Sequence, residues 1–343
     1  MTAPPTGIDP RPVTKWMADR VPDLEPPLSF ELITGGASNL TFCVTDTAGG
    51  RFVLRRPPTG HVLASAHDMG REHRIISALH GTTVPVAPPL GLCVDDSING
   101  SPFYVMEFVE GSIIFDRADG EAVDLALRPV IARSLVDTLA DLHTLDPDAV
   151  GLGELGRKED YCARQLRRWK RQIDDGSDRE LALLHELHSR LEGTIPAQQG
   201  AGIVHGDYRL DNCMIGYDGG IAAVLDWELC TLGDVLADLA GMVMWWGDDP
   251  DARGRLGDVP TRALGFGTAD DIITSYADLS DRDLSHLGWY VAFQHWRLAC
   301  ISEGVRVRYA AGAMGDQEGR TDDEARIGID YLLAGAEHWL DRD

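Results

Sequence analysis

The sequence predicts an α+β protein of two lobes: a small five-stranded antiparallel N-terminal lobe with one main helix, and a larger, mainly helical C-terminal lobe. Three observations carry this. Between residues 29 and 110 short extended segments alternate with turns rich in Gly, Pro, Asn and Asp. Past Gly111 apolar residues recur at helical spacing instead. Strand-like pieces return only briefly, between 201 and 228. The expected division is 1–106 and 107–343, with a cleft between the lobes.

In chain order, a short helix is expected near 11–20. "SFELITGG", "SNLTFCVTD" and "RFVLRRPP" then form a meander across Gly-rich and Asp/Gly turns. "HDMGREHRIISALH" at 67–80 reads as the N-terminal lobe's helix. Two more strands, "VAPPLGLCVDD" and "SPFYVMEFVEG", meet at a turn on Asn99 and Gly100. "ALRPVIARSLVDTLADLHTL" opens the helical body, which continues with helices at about 157–175 and 178–192. "AGIVHGD", "CMIG" and "AAVLDWE" supply its short strands. Helices at 234–246, 268–278, 283–302 and 321–340 complete the chain.

Composition narrows the function. The 31 Lys and Arg against 55 Asp and Glu give a formal charge of −24. Nucleic acid is disfavoured as a partner, because no basic stripe offsets phosphate repulsion. Small anionic ligands remain allowed, since they bind local pockets rather than net charge. The six cysteines are scattered without a C-x-x-C pair, which argues against structural zinc and a disulfide framework. No apolar signal core or membrane-length run is visible. The expectation is a cytoplasmic protein without membrane contact, a monomer or a homodimer.

The chemistry concentrates in "HGDYRLDN", residues 205 to 212. Charged side chains packed between apolar runs carry a desolvation penalty unless they have a use. Asp207 and Asn212 lie five apart across a turn, a spacing that lets both face one pocket. Asp226 ends the apolar strand "AVLDWE" fourteen positions on. A hard divalent cation such as Mg²⁺ takes oxygen ligands, a few from protein and the rest from phosphate and water. Asn212 and Asp226 suit that, leaving Asp207 to accept a proton from an alcohol. The alternative is an Asx-turn with capping carboxylates.

Upstream, "ITGGASNLTF" carries a Gly-Gly turn whose amides can approach phosphate oxygens, although Gly-Gly is also an ordinary hairpin turn. In "RFVLRR", alternation puts Val53 and Arg55 on one face. Met69, Glu72, Ile76 and Leu79 share one face of the following helix, which sets Glu72 in an apolar stripe. A carboxylate there needs a partner, and Arg55 is the best-placed cation. Otherwise Glu72 snorkels to the surface.

A Gly-turn hairpin, a strand cation, a helix Glu, H-x-D-x-x-x-x-N and a downstream Asp are the set used by kinases for phosphoryl transfer. The sequence resembles the aminoglycoside phosphotransferase and choline kinase branch of the protein-kinase-like fold. Within it, "IVHGDYRLDN", "AVLDWELCTLGDVLADLA" and "FQHWRLACISEGVRVR" are similar to the kinase-like domain of acyl-CoA dehydrogenase family members ten and eleven and their bacterial relatives. The resemblance implies a bilobal kinase-like fold and transfer of the ATP γ-phosphate, with Mg²⁺, to an alcohol of a small molecule. A hydroxyacyl-CoA is one acceptor it suggests. An antibiotic kinase and a nucleotide-binding module without turnover are the alternatives.

By the same resemblance Asp207 is the base, and Arg209 contacts the transferring phosphate. Asn212 and Asp226 hold Mg²⁺. Arg55 contacts the α/β-phosphates with Glu72 as its partner, and Ser38 and Asn39 sit at the hairpin tip over them. Glu107 and Val109 offer backbone groups to the purine, while Val53 and Met106 line its slot. Asp234 and Asp238 are spaced i, i+4 on a helix, and Asp238, which interrupts its apolar face, reads as a brace for the catalytic loop, with His205 as scaffold. Two departures stand out: the strand cation is Arg rather than Lys, with no lysine in 16–157 to replace it, and Glu228 stands where protein kinases place the Gly of D-F-G. On the helix at 157–175, Tyr161, Arg164, Arg168 and Trp169 form a face suited to an anionic, partly apolar ligand, or else a packed face edged with solvated arginines.

Overall fold

The structure, a computed structural model, describes residues 5–33, 39–59, 68–247, 254–311 and 321–342. Two compact units result. One comprises Met1–Ser112 with Cys213–Tyr217 and Ile221–Leu229, and the other Ile113–Asn212, Asp218–Gly220 and Cys230–Asp343.

The first unit opens with α1 (Pro10–Ala18), β1 (Ser29–Leu32), β2 (Leu40–Thr45), β3 (Arg51–Arg56), α2 (Met69–Leu79), β4 (Pro89–Cys93), α3 (Asp96–Asn99) and β5 (Phe103–Glu107). The five strands form one antiparallel sheet in the order β1-β2-β3-β5-β4. Strand alternation gives the sheet two different faces. Phe42, Val44, Leu54, Phe103 and Val105 pack on α1, whose Val13, Trp16 and Met17 recur at helical spacing and are buried. Full burial of each such side chain contributes roughly 1.5–3 kcal/mol, so this face anchors the sheet. The opposite row is left to the polar chemistry. Val53 lies across from Cys43 and Met106, and Arg55 across from Thr41 and Tyr104. Helix α2, N-capped by Asp68 on the Arg71 amide, buries Met69, Glu72, Ile76 and Leu79, the face its periodicity predicts. The turn expected at Asn99 and Gly100 is instead the end of the single-turn helix α3. Asp95 caps that helix through the Ser97 amide, and Gly100 closes it at φ 71°.

The rest of the chain forms α4 (Arg117–Ala122), α5 (Arg128–Thr144), α6 (Tyr161–Gly176), α7 (Ala182–Gly193), β6 (Gly202–Val204), β7 (Cys213–Ile215), β8 (Ile221–Val224), β9 (Thr231–Gly233), α8 (Leu236–Met244), α9 (Ala269–Ala277), α10 (Leu287–Ala310) and α11 (Asp322–Leu340). Helix α10 buries Trp289, Phe293 and Trp296 and packs against α11, α8, α6 and α7. The β7–β8 hairpin, expected inside the helical body, groups with the first unit. Ser112 and Ile215 exchange amide hydrogen bonds of 2.9 Å, and the Val224 amide reaches the Pro85 carbonyl. Two elements carry no signal in the sequence: α4, and β9, which pairs with β6. Both are too short to establish a period. Among the described residues no helix is long and apolar enough to cross a membrane.

A buried ionic cluster ties α10 to its neighbours. Glu303 is fully buried and accepts hydrogen bonds from Ser177 (2.8 Å), Arg179 (3.1 Å) and Arg306 (2.8 and 3.1 Å). Arg306 also pairs with Asp178 and with Asp322. Burial alone would raise the Glu303 pKa, but the donors from Arg306, Ser177 and Arg179 outweigh it and hold the carboxyl below its ordinary 4.5. A depressed carboxylate contributes stability that is present above the unfolded value and lost as pH falls through the folded one. Unfolding free energy therefore drops as pH is lowered below about 4.5. Glu303→Gln costs about 3 kcal/mol at neutral pH and flattens that slope, as denaturant titrations at several pH values would show.

Candidate active site

The segment 205–212 leaves β6 and turns through Gly206, whose φ of 89° suits glycine. Three side chains hold the turn from behind. Asp238, nearly fully buried on α8, accepts the His205 amide at 2.6 Å and the Gly206 amide at 2.8 Å. Arg297 on α10 donates twice to the Gly206 carbonyl at 3.2 Å. The Tyr208 hydroxyl donates to the Leu135 carbonyl at 2.8 Å. His205 is fully buried and its Nδ1 accepts the Asp207 amide at 3.3 Å, so it serves as scaffold. Asp238→Ala leaves two amides without their acceptor and costs about 2–4 kcal/mol in chemical denaturation.

This bracing leaves the Asp207 carboxylate at the surface of the unit, about one-third exposed. Asn212, at the end of the 3₁₀ turn Leu210–Asn212, donates from Nδ2 to Asp207 Oδ2 at 2.9 Å and to the Asp207 carbonyl at 2.8 Å. With the nitrogen committed to Asp207, the amide oxygen is the Asn212 atom that a hard cation would take. Arg209 sits 3.2 Å from Asp207 and 3.0 Å from Asp211, with its guanidinium 4.7 Å over the Trp245 ring. Phe115, Leu135, Met242 and Trp246 line a pocket beside it.

In the first unit, Arg55 forks between two carboxylates. Its Nε lies 3.0 Å from Glu72 and its Nη2 donates to Asp226 at 2.9 Å. Burial opposes the charge, but Tyr104, Glu72 and Asp226 outweigh it and raise the guanidinium pKa above its ordinary value. Asp226 has a left-handed backbone, φ 61°, uncommon outside glycine and a mark of strained functional positions. Its side chain is about one-third exposed. One of its oxygens meets Arg55, and hard oxygen donors of this kind suit Mg²⁺ carried on phosphates. Among the described residues no cluster of three His, Cys, Asp or Glu side chains is arranged to hold a metal by itself.

Other expected residues fall as follows. Val53 is buried and faces half-buried Met106 across the β3–β5 pair. Glu107 is exposed, and its amide is taken by the Pro88 carbonyl. Val109 is half-buried. Ser38 lies outside the described residues. Asn39, directly before β2, is buried, and its amide donates to Glu72 at 3.1 Å. Glu228 is half-buried on the 3₁₀ turn Trp227–Leu229. On α6 the expected ligand face is divided. Tyr161 is buried against Gly233, while Arg168 is exposed and lies 5.2 Å over Trp169. Tyr104, Arg297, Asp211 and Trp245 are contributors the sequence reading does not single out in these contacts.

A family model described as phosphotransferase enzyme family matches residues 29–265. The chain belongs to that family. The phosphotransferase is a small-molecule kinase. It is 33% identical over 315 residues to acyl-CoA dehydrogenase family member 10 of Mus musculus, covering 89% of this chain and 29% of that protein. It is 34% identical over 293 residues to family member 11 of Gallus gallus, covering 83% and 37%. The chain thus spans about a third of the length of these relatives. A crystal structure of a candidate aminoglycoside phosphotransferase from Ralstonia eutropha matches the phosphotransferase with TM-score 0.83 and 31% identity over 98% of this chain and 99% of that one. An aminoglycoside phosphotransferase in ternary complex with ADP and hygromycin B, 12% identical with TM-score 0.60 over 97% of each chain, shares the fold alone.

Proposed function

We propose that this phosphotransferase moves the γ-phosphate of ATP to the hydroxyl of a hydroxyacyl-CoA. The observation that carries the transfer is Asp207: about one-third exposed, paired with Asn212, and set on a loop bolted by Asp238 and Arg297. Asp207 takes the acceptor's proton as the acceptor oxygen bonds to the γ-phosphorus and the bond from that phosphorus to ADP breaks, ADP leaving with the electron pair. Asn212 and Asp226 would hold Mg²⁺, which would neutralise charge on the phosphates. Arg55 steadies the α/β-phosphates. Arg209, balanced between Asp207 and Asp211, orients the base and contacts the transferring phosphate. Val53 and Met106 form a wall for the purine. The Glu107 carbonyl and the Val109 backbone are its hydrogen-bonding groups, with Ser38 at the phosphate end.

The acceptor class is supported by the relatives. Acyl-CoA dehydrogenase family members carry this stretch as about a third of their length, so a kinase linked to them fits a hydroxylated acyl-CoA. The exposed arginines of α6, Arg167, Arg168 and Arg171, suit its phosphates. The competing acceptor, a polycationic aminoglycoside, is favoured by the net charge of −24 and by the likeness to the candidate aminoglycoside phosphotransferase from Ralstonia eutropha. ATP consumption across 3- and 4-hydroxyacyl-CoAs, amino alcohols and aminoglycosides, with mass detection of phosphorylated product, separates them. Product from the hydroxyacyl-CoAs is expected; product from aminoglycosides alone would assign the second class.

A further inference from the structure

We infer that Tyr104 and Asn39 are positioning residues for Arg55, acting through Glu72; the nucleotide part of this inference rests on the function proposed above. Glu72 is 2% exposed, and both of its oxygens are engaged. Asn39 Nδ2 donates to Oε1 at 3.1 Å. The Tyr104 hydroxyl donates to Oε2 at 3.0 Å, and Arg55 Nε approaches that same oxygen to 3.0 Å. These partners come from three places in the first unit: the residue before β2, strand β5 and strand β3. Rotating the carboxylate about its terminal bond would break contacts to at least two of them.

That fixity matters because the cation is an arginine. A lysine ammonium is a point charge on a flexible stem and reaches phosphate from many directions. A guanidinium is planar, so holding it between the Glu72 ion pair on one side and the Nη2 hydrogen bond to Asp226 on the other sets the direction of its terminal nitrogens. Here the anchored plane aims Nη2 at Asp226 Oδ1, 2.9 Å away. Tyr104 is the cross-strand partner of Arg55, and it is 3% exposed, so its hydroxyl has no water to prefer over Glu72. Burial, reinforced by Glu72, raises the Tyr104 pKa well above its ordinary value, which keeps it a donor. The pair Tyr104–Asn39 is thus the counterpart of the Lys-to-Arg exchange: it supplies the rigidity that a forked cation needs and a lysine does not.

The test is a double-mutant cycle on full-length protein, with Tyr104→Phe and Arg55→Lys read by Mg·ATP calorimetry and by denaturant unfolding. In the Arg55 background, Tyr104→Phe is expected to weaken Mg·ATP binding about tenfold; in the Arg55→Lys background the same change is expected to have an effect of less than about twofold. A filler role for Tyr104 predicts a lowered unfolding midpoint with equal, small changes in affinity in both backgrounds, and that result overturns the inference. If Tyr104→Phe does not fold, Asn39→Ala carries the same comparison. If the unaltered protein binds no Mg·ATP, the kinase reading fails by itself. The clamp is then decided by unfolding alone, where non-additive effects of the two substitutions uphold it and additive ones overturn it.

Discussion

Asp207→Ala lowers the rate of phosphate transfer by about 10³-fold, in the middle of the range for loss of a general base, while Mg·ATP affinity stays within about twofold of the original. The separation follows from the geometry. Asp207 has its contacts to Asn212 and Arg209 in the second unit, whereas Arg55, Glu72 and Asp226 hold one another in the first without it. Asp207→Asn is the sharper variant. It keeps an oxygen for the Asn212 amide and so preserves the loop, but it has no basicity for an alcohol proton. Rates from the two variants within a few-fold of each other assign the loss to chemistry rather than to a collapsed loop. Turnover near the original in Asp207→Asn would remove the base assignment.

Asp226→Asn gives the second large effect, in a different observable. Asparagine tolerates the left-handed backbone at φ 61°, so the substitution removes charge without adding the strain that alanine would bring. Magnesium-dependent ATP affinity should fall at least about tenfold, near 1.4 kcal/mol, with little change in ATP binding when the metal is chelated. Arg55 loses one of its two carboxylate partners at the same time and is held by Glu72 alone. Calorimetric titrations with and without a chelator separate these consequences. Equal affinity for Mg·ATP before and after the change would dismiss Asp226 as a metal ligand.

The parts of the site legible in the sequence are those whose position depends on a local period. Alternation in "RFVLRR" puts Arg55 on the face of Val53, and the helical repeat puts Glu72 in an apolar stripe, so their pairing is implied before any tertiary contact is known. Asp238 is visible for the same reason, as a carboxylate interrupting the apolar face of α8. Arg297 is not, because it reaches Gly206 across 91 residues from a helix buried nearly all round, where no polar face marks it. Tyr104 reads as one more β-former in "FYVME", and nothing local says that its hydroxyl meets Glu72. Asn39 reads as a hairpin-tip residue, and nothing local says that its amide meets Glu72 just before the strand that starts at Leu40. The β7–β8 hairpin is recognisable as a hairpin, but its grouping with the first unit depends on the Ser112–Ile215 and Val224–Pro85 hydrogen bonds, which join segments distant in sequence.

The central claim is direct transfer from ATP to an alcohol, and it is tested most directly with ATP carrying ¹⁸O on the γ-phosphate and a hydroxyacyl-CoA as acceptor. Mass spectrometry of the products should find the labelled phosphate on the acyl-CoA, and the label should be absent there for Asp207→Asn. Label recovered only in inorganic phosphate, or on the acceptor to the same extent with Asp207→Asn, would contradict it.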